Sequence, residues 1–131
     1  CYTTAMSTTT ISHTTKSYPR LPYEEMKTDI LGKRYELSLA FVGETKAKQY
    51  NETYRQRSYV PNVLSFPLAS TIGEIIICPA VAKRECKKHN MTYRGFVGYL
   101  FIHGCLHLKG YDHGDTMERA ERRYSNAYNL R

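Results

Sequence analysis

The feature that most constrains the fold is an apolar segment that runs from Phe96 to Leu108 and contains two histidines. Apart from these two histidines, nearly all of its residues are apolar. A helix that is apolar on all sides is normally buried in the protein interior. Thr92 is suited to cap the start of this helix, and Gly110 is suited to end it in the left-handed conformation. The segment therefore predicts a central helix against which the rest of the chain packs.

Three of the five histidines lie within or just after this helix, at His103, His107 and His113. His103 and His107 are one helical turn apart, so their Cβ atoms should lie roughly 5–6 Å apart on one face. Gly110 turns the chain so that His113 can approach them. A single buried histidine is usually a core residue satisfied by hydrogen bonds, but three at this spacing favour a metal site. Three protein ligands with one open position are typical of catalytic zinc, one ion per chain, although other divalent transition metals also bind imidazole.

The same histidine spacing occurs on the metal-binding helix of zinc proteases, where a glutamate general base follows the first histidine. Gly104 occupies that position here and has no side chain that could act as a base. The pattern therefore keeps the metal ligands but argues against a peptidase. Asp112, directly before His113, is a candidate to hydrogen-bond a ligand imidazole, or else an ordinary turn residue.

Hydrophobic periodicity and turn residues predict an α+β fold, with a small mixed sheet of about four strands covered by helices. The histidine helix is expected to pack against this sheet. The alternation over residues 35–42 predicts a strand, and the continuous apolar run at 72–77 predicts one buried on both faces. Residues 62–66 predict a short strand closed by Pro67. The remaining predicted elements are a strand at 8–13 and helices at 22–31, 44–55, 79–88 and 116–129.

Length and composition set further limits. Residues 1–131 are expected to form one domain, in which residues 1–5 would be a cloning remnant without a structural role. The net charge of +7, from 19 basic and 12 acidic residues, suits an anionic partner such as nucleic acid, although solvated lysines give the same balance. No apolar run approaches the roughly 20 residues of a membrane span. Cys78, Cys86 and Cys105 form no C-x-x-C pair and are expected to be reduced and buried, which favours a cytoplasmic location.

Arg55, at the end of the predicted helix 44–55, is the second candidate site residue. A guanidinium near a metal can hold a phosphate through two hydrogen bonds and stabilise the charge that develops in phosphoryl transfer. The plainer alternative is a solvated cation at a helix end. Lys48 and Arg57 lie close to it in sequence, and they would add salt-sensitive affinity for a nucleic-acid backbone.

Four segments occur together in a fixed order: Arg55, Asn-Val-Leu-Ser-Phe-Pro from Asn62, Gly-Glu-Ile from Gly73, and His-Gly-x-Leu-His-Leu-x-Gly-Tyr-Asp-His from His103. This set resembles the YbeY family, the metal-dependent bacterial endoribonucleases of rRNA maturation. The resemblance covers roughly residues 35–128, and the histidine motif is its most specific part.

Other positions follow the family pattern less closely. Its L-N-x-x-Y-R element is matched at residues 50–55, with Tyr50 in the Leu position. Pro61 stands where the family has Thr, and Glu74 stands where it has Asp, after a short loop. The N-terminal third of the chain matches poorly.

The resemblance implies a zinc ion held by His103, His107 and His113, a cleft for single-stranded RNA, and a critical role for Arg55. On this interpretation Arg55 and His103 are catalytic, the metal polarises the scissile phosphate, and Arg55, Arg57 and Lys48 bind RNA. The family acts at the 3′ end of small-subunit 16S rRNA and in ribosome quality control. Its partners are the small ribosomal subunit and a ribosome-assembly GTPase. The alternative hypothesis is a non-catalytic ribosome-assembly protein that binds RNA and carries a structural metal.

Overall fold

A computed structural model describes residues 8–131, so the expected cloning remnant at residues 1–5 lies outside the described residues. Within this range, four strands and five α-helices give the α+β class that the sequence predicts. In chain order the elements are β1 (Thr9–His13), α1 (Tyr23–Leu31), β2 (Glu36–Phe41), α2 (Glu44–Arg55), β3 (Val63–Ala69), β4 (Ile72–Ile77), α3 (Pro79–Glu85), α4 (Tyr93–Lys109) and α5 (Asp115–Ala127), with a 3₁₀ turn at Cys86–His89.

The four strands form one mixed sheet in the order β1-β2-β4-β3. β2 pairs in parallel with β1 and with β4, whereas β3 pairs antiparallel with β4. The central position of β4 explains its continuous apolar sequence, because a strand in the middle of a covered sheet is buried on both faces. Ile75, Ile76 and Ile77 are accordingly no more than 2% exposed. The prediction of a mixed sheet of about four strands is confirmed.

Two elements end three residues away from their predicted ends. β3 does not stop at Pro67 but continues to Ala69, so the prediction that Pro67 closes the strand was wrong. Proline is tolerated because β3 is an edge strand, and a register shift between Pro67 and Ala69 marks an irregularity in its pairing. The α-helix expected at 79–88 ends at Glu85, and the chain continues from there as the 3₁₀ turn at Cys86–His89.

The ends of α4 have the residues that the sequence indicates. Thr92 caps its start, since the Thr92 hydroxyl accepts a hydrogen bond from the Gly95 N–H at 3.0 Å. The same hydroxyl donates to the carbonyl of Arg131 at 2.6 Å, which fastens the C-terminal residue to the helix. At the other end, Gly110 adopts the left-handed conformation with a φ of 110°, and its N–H bonds to the His107 carbonyl.

The sheet separates two hydrophobic cores. The larger contains α1, α4 and α5, with α4 packed on β3 and β4, and the smaller lies under α2 and α3 on the other face. Cys78, Cys86 and Cys105 are buried and free of disulfides, as predicted. Among residues 8–131, no helix has the length and apolar character needed to cross a membrane.

The cap of α4 can be tested directly. We expect Thr92→Ala to lower the free energy of unfolding by about 1 kcal/mol, because the Gly95 N–H loses its acceptor and the Arg131 carbonyl loses its donor. Urea denaturation followed by circular dichroism measures the change. Thr92→Ser keeps the hydroxyl and should be close to wild type. Equal stability of the Ala and Ser variants would contradict the capping role.

Candidate metal centre

The three histidines of the motif come together as one cluster. The ring centroids lie 4.6 Å apart for His103 and His107, 4.7 Å for His107 and His113, and 5.4 Å for His103 and His113. One ring nitrogen from each histidine lies within 4.8 Å of the others. The Nε2 atoms of His103 and His107 are 3.1 Å apart. This is the spacing of atoms that can share one metal ion as ligands.

The local backbone explains why these side chains meet. His103 and His107 project from the same face of α4, one turn apart. After Gly110 reverses the chain, the Tyr111 N–H bonds back to the Leu106 carbonyl at 3.0 Å. This bond holds the loop against the end of α4, and His113 therefore reaches the other two histidines from the loop.

The second nitrogen of each helical histidine is already engaged. His103 Nδ1 lies 2.5 Å from Glu121 Oε2, and His107 Nδ1 lies 3.2 Å from the Tyr111 carbonyl oxygen. Both partners are acceptors, so each Nδ1 carries the proton and each Nε2 offers a lone pair to the cluster. Three imidazoles arranged in this way fit a divalent transition metal of the zinc type.

Glu121 is a site residue that the sequence analysis missed. It is 6% exposed on α5, a helix whose other charged residues face solvent. Its position carried a signal, because Glu121 follows the buried Met117 by four residues and therefore lies on the apolar stripe of the helix. Met117 itself is a core residue at 1% exposure.

Asp112 had been the candidate to orient a ligand imidazole. Its side chain is exposed, and within residues 8–131 the imidazole partners of His103 and His107 are Glu121 and the Tyr111 carbonyl instead. A role for Asp112 toward His113 stays a prediction.

The surroundings of His107 favour its neutral form, since they lower its pKa. Partial burial lowers the pKa of His107, and the nearby His103 and His113 lower it further, with a smaller contribution from Arg55. The hydrogen bond to the Tyr111 carbonyl acts in the opposite direction. Because only the neutral imidazole can bind a metal, the net shift favours metal uptake near neutral pH.

Arg55 is the last residue of α2 and is exposed, and its positive charge makes a small contribution to the lowered pKa of His107. The chain turns sharply after it, because Gln56 adopts the left-handed conformation with a φ of 57°. Asn51 holds this turn. Its side-chain amide is fully buried and donates to the Tyr59 carbonyl at 2.9 Å, and the backbone carbonyl of Asn51 accepts from the Arg57 N–H at 3.1 Å. The cations Lys48 and Arg57 are also exposed, on α2 and directly after it.

Two concave surfaces border the cluster. A cavity of about 200 Å³ adjoins His103 and includes Asn62, Phe96 and Tyr99 in its wall. A wider concavity of about 470 Å³ follows the loop that carries His113. Each of the two concavities therefore has one histidine of the cluster in its wall.

Gly104, which stands where the zinc proteases have their glutamate, has no room for a larger side chain. A Cβ atom at Gly104 would lie 3.0 Å from Ile75 Cδ1 and 3.3 Å from both Cγ atoms of Ile75. A side chain there would meet β4 rather than the histidine cluster. The geometry thus agrees with the sequence in giving position 104 no role as a base.

The fold and the cluster together define a small α+β protein in which the central helix and the loop after it form a three-histidine site able to hold a metal ion. The family described as Endoribonuclease YbeY matches this chain over residues 3–129, and the chain belongs to that family. The match begins well before residue 35, so the limit drawn from the motifs was too narrow.

Similar proteins agree with this assignment. The chain is 43% identical over 82 residues to a Bdellovibrio bacteriovorus protein named Endoribonuclease YbeY, covering 61% of this chain and 55% of that protein. A Pseudomonas putida protein of the same name is 37% identical over 94 residues, covering 66% and 60%. The chain thus spans less than two thirds of the length of these curated relatives. The solution structure of a Thermotoga maritima protein matches with a TM-score of 0.64 at 25% identity, covering 90% of this chain and 87% of that one.

The cluster predicts the stoichiometry of metal binding. We expect the purified protein to bind one zinc ion per chain. His107→Ala should weaken zinc binding by more than about 100-fold, because loss of a residue that only hydrogen-bonds to a metal ligand already lowers metal affinity about 10–100-fold. Competition with a chromophoric chelator measures the affinity. His13→Ala removes an exposed histidine on β1, at the opposite edge of the sheet from β3, and should leave the affinity unchanged. Equal losses in both variants would argue against the cluster.

Proposed function

We propose that this chain is a metal-dependent endoribonuclease specific for single-stranded RNA that acts in rRNA maturation. The observation that carries the proposal is the meeting of His103, His107 and His113 in a member of the YbeY family. The relatives that bear the name Endoribonuclease YbeY support the reaction class.

The histidines would hold one divalent cation, with zinc the first candidate because three neutral imidazoles suit it. When bound, such an ion supplies charge stabilisation to a phosphoryl oxygen and lowers the pKa of water. Glu121 and the Tyr111 carbonyl keep the Nε2 atoms of His103 and His107 available for this role. His103, as a ligand of the ion, thereby takes part in catalysis.

Arg55 would bind the scissile phosphate. Its guanidinium offers two parallel N–H donors to phosphate oxygens and stabilises the charge that develops on them in the transition state. Lys48, which precedes Arg55 in the chain, and Arg57, which follows it, would contact the RNA backbone. The two concave surfaces that border the cluster would accommodate parts of a single strand next to the cleaved bond.

We further propose that the chain acts as one domain in the cytoplasm, at the 3′ end of small-subunit 16S rRNA and in ribosome quality control. The small ribosomal subunit and a ribosome-assembly GTPase would then be its partners. These proposals rest on family membership and on the net charge of +7, which suits an RNA-rich partner.

The role of Arg55 predicts a specific kinetic defect. We expect Arg55→Ala to lower kcat/KM for a labelled single-stranded RNA by about 100-fold, the typical effect of removing one donor to a developing anion. Arg55→Lys keeps the charge but loses the paired donors, and it should recover only part of the activity. Single-turnover cleavage assays give these values.

Arg57→Ala serves as the matched control, since Arg57 is an exposed arginine two residues away. We expect it to weaken RNA binding while leaving the cleavage step nearly intact. An Arg55→Ala variant that stays folded, binds metal and cleaves at the wild-type rate would remove Arg55 from the mechanism.

Removal of the metal distinguishes the enzyme from an assembly factor with a structural metal. We expect the metal-stripped protein to lose RNA cleavage and to keep its circular dichroism spectrum, because α4 is capped at both ends and buried by apolar packing without an ion. Readdition of zinc should restore cleavage. Unfolding on removal of the metal, together with no cleavage by the loaded protein, would instead favour the non-catalytic RNA-binding alternative.

A further inference from the structure

Glu121 is the residue on which an additional inference rests. Its carboxylate is buried in contact with the proposed metal site, although it belongs to α5 and lies fourteen residues beyond His107 in sequence. α5 carries exposed charges along the rest of its surface, among them Glu118, Arg119 and Arg122. A carboxylate on the buried stripe of such a helix must be compensated by partners in the interior, because an unpaired buried charge is costly.

Both oxygens of Glu121 have such partners. Oε2 lies 2.5 Å from His103 Nδ1, and Oε1 accepts a hydrogen bond from the Tyr99 hydroxyl at 3.2 Å. Burial and the neighbouring Glu121 raise the pKa of Tyr99 to about 12, so the hydroxyl keeps its proton and acts as the donor. Tyr99 precedes His103 by four residues on α4, so the two donors hold the carboxylate from adjacent turns of one helix face.

We propose that Glu121 is the positioning residue for His103. It holds the imidazole with the proton on Nδ1 and with Nε2 directed at His107 and His113, and Tyr99 fixes Glu121 in the orientation that this requires. α5 thereby becomes part of the metal site without supplying a ligand. The inference rests on the proposed function only in taking the three histidines as metal ligands.

Three variants separate orientation from charge and from folding. Glu121→Leu fills the space but leaves His103 Nδ1 without an acceptor, and we expect it to weaken zinc binding about 10–100-fold. Glu121→Gln retains an oxygen that can accept from Nδ1, so its loss should be several-fold smaller. Glu118→Gln removes the same charge from an exposed position three residues earlier on α5, and it should bind zinc as tightly as the wild type. Affinities come from chelator competition in the absence of RNA.

The tautomer of His103 gives a readout that a purely structural role would not change. In the metal-free wild-type protein, long-range ¹H–¹⁵N spectra should show His103 protonated on Nδ1 and bare at Nε2. Glu121→Gln should keep this tautomer, whereas Glu121→Leu should shift it toward Nε2–H, the form that prevails in free imidazole side chains.

The outcomes are decisive in either direction. A wild-type His103 protonated on Nε2, or a folded Glu121→Leu variant with wild-type zinc affinity, would overturn the inference. The wild-type spectrum tests it even if the Leu variant does not fold. Since neither measurement involves RNA, a failure to cleave RNA would contradict the proposed function while leaving this inference intact.

Discussion

The close packing of α4 on β4 is the constraint on which the rest of the structure depends. Gly104 lets the helix backbone approach Ile75 on the central strand, and Gly73 lets the strand approach Leu108 on the helix. At both places a Cβ atom would lie no more than 3.0 Å from the nearest atom of the opposing element. The contact buries one face of α4 completely and leaves the face with His103 and His107 partly accessible. The orientation of α4, and therefore the placement of His103 and His107, follows from this contact.

Much of the fold could be predicted because local patterns and tertiary packing agree. The run Ile75-Ile76-Ile77 predicts a strand buried on both faces, and it lies between β2 and β3 in the centre of the sheet. Pro67 shows where such reasoning fails. A proline predicts the end of a strand only if its missing N–H would be needed by a neighbour, and the sequence does not reveal that β3 lies at the sheet edge. Whether a strand lies at the edge or in the centre of a sheet is decided by the topology of the fold.

The same distinction between local patterns and tertiary contacts applies to the candidate site. His103, His107 and His113 could be identified from the sequence because helical spacing and the turn at Gly110 are local. Glu121 and the buried Asn51 could not be identified in the same way, since their roles depend on contacts between elements distant in the chain or on a loop whose path the sequence does not specify. Lys27 is a similar case: it is fully buried, and its ammonium donates to the carbonyl of Tyr35 at 3.0 Å. Polar residues on apolar stripes are the positions that sequence analysis should examine more closely.

The chemistry of the cluster also bears on the choice between phosphate and peptide substrates. Three neutral imidazoles would leave the charge of a divalent cation uncancelled, as they do in the zinc proteases that share this histidine spacing. Arg55 adds a further positive charge close enough to lower the pKa of His107. Such a site attracts an anionic phosphodiester more strongly than a neutral peptide carbonyl, because the interaction with a full negative charge is the larger one. The absence of a side chain at Gly104 removes the base that a peptidase would use, whereas the positive charge of a metal-loaded cluster would suit the proposed cleavage of a phosphodiester.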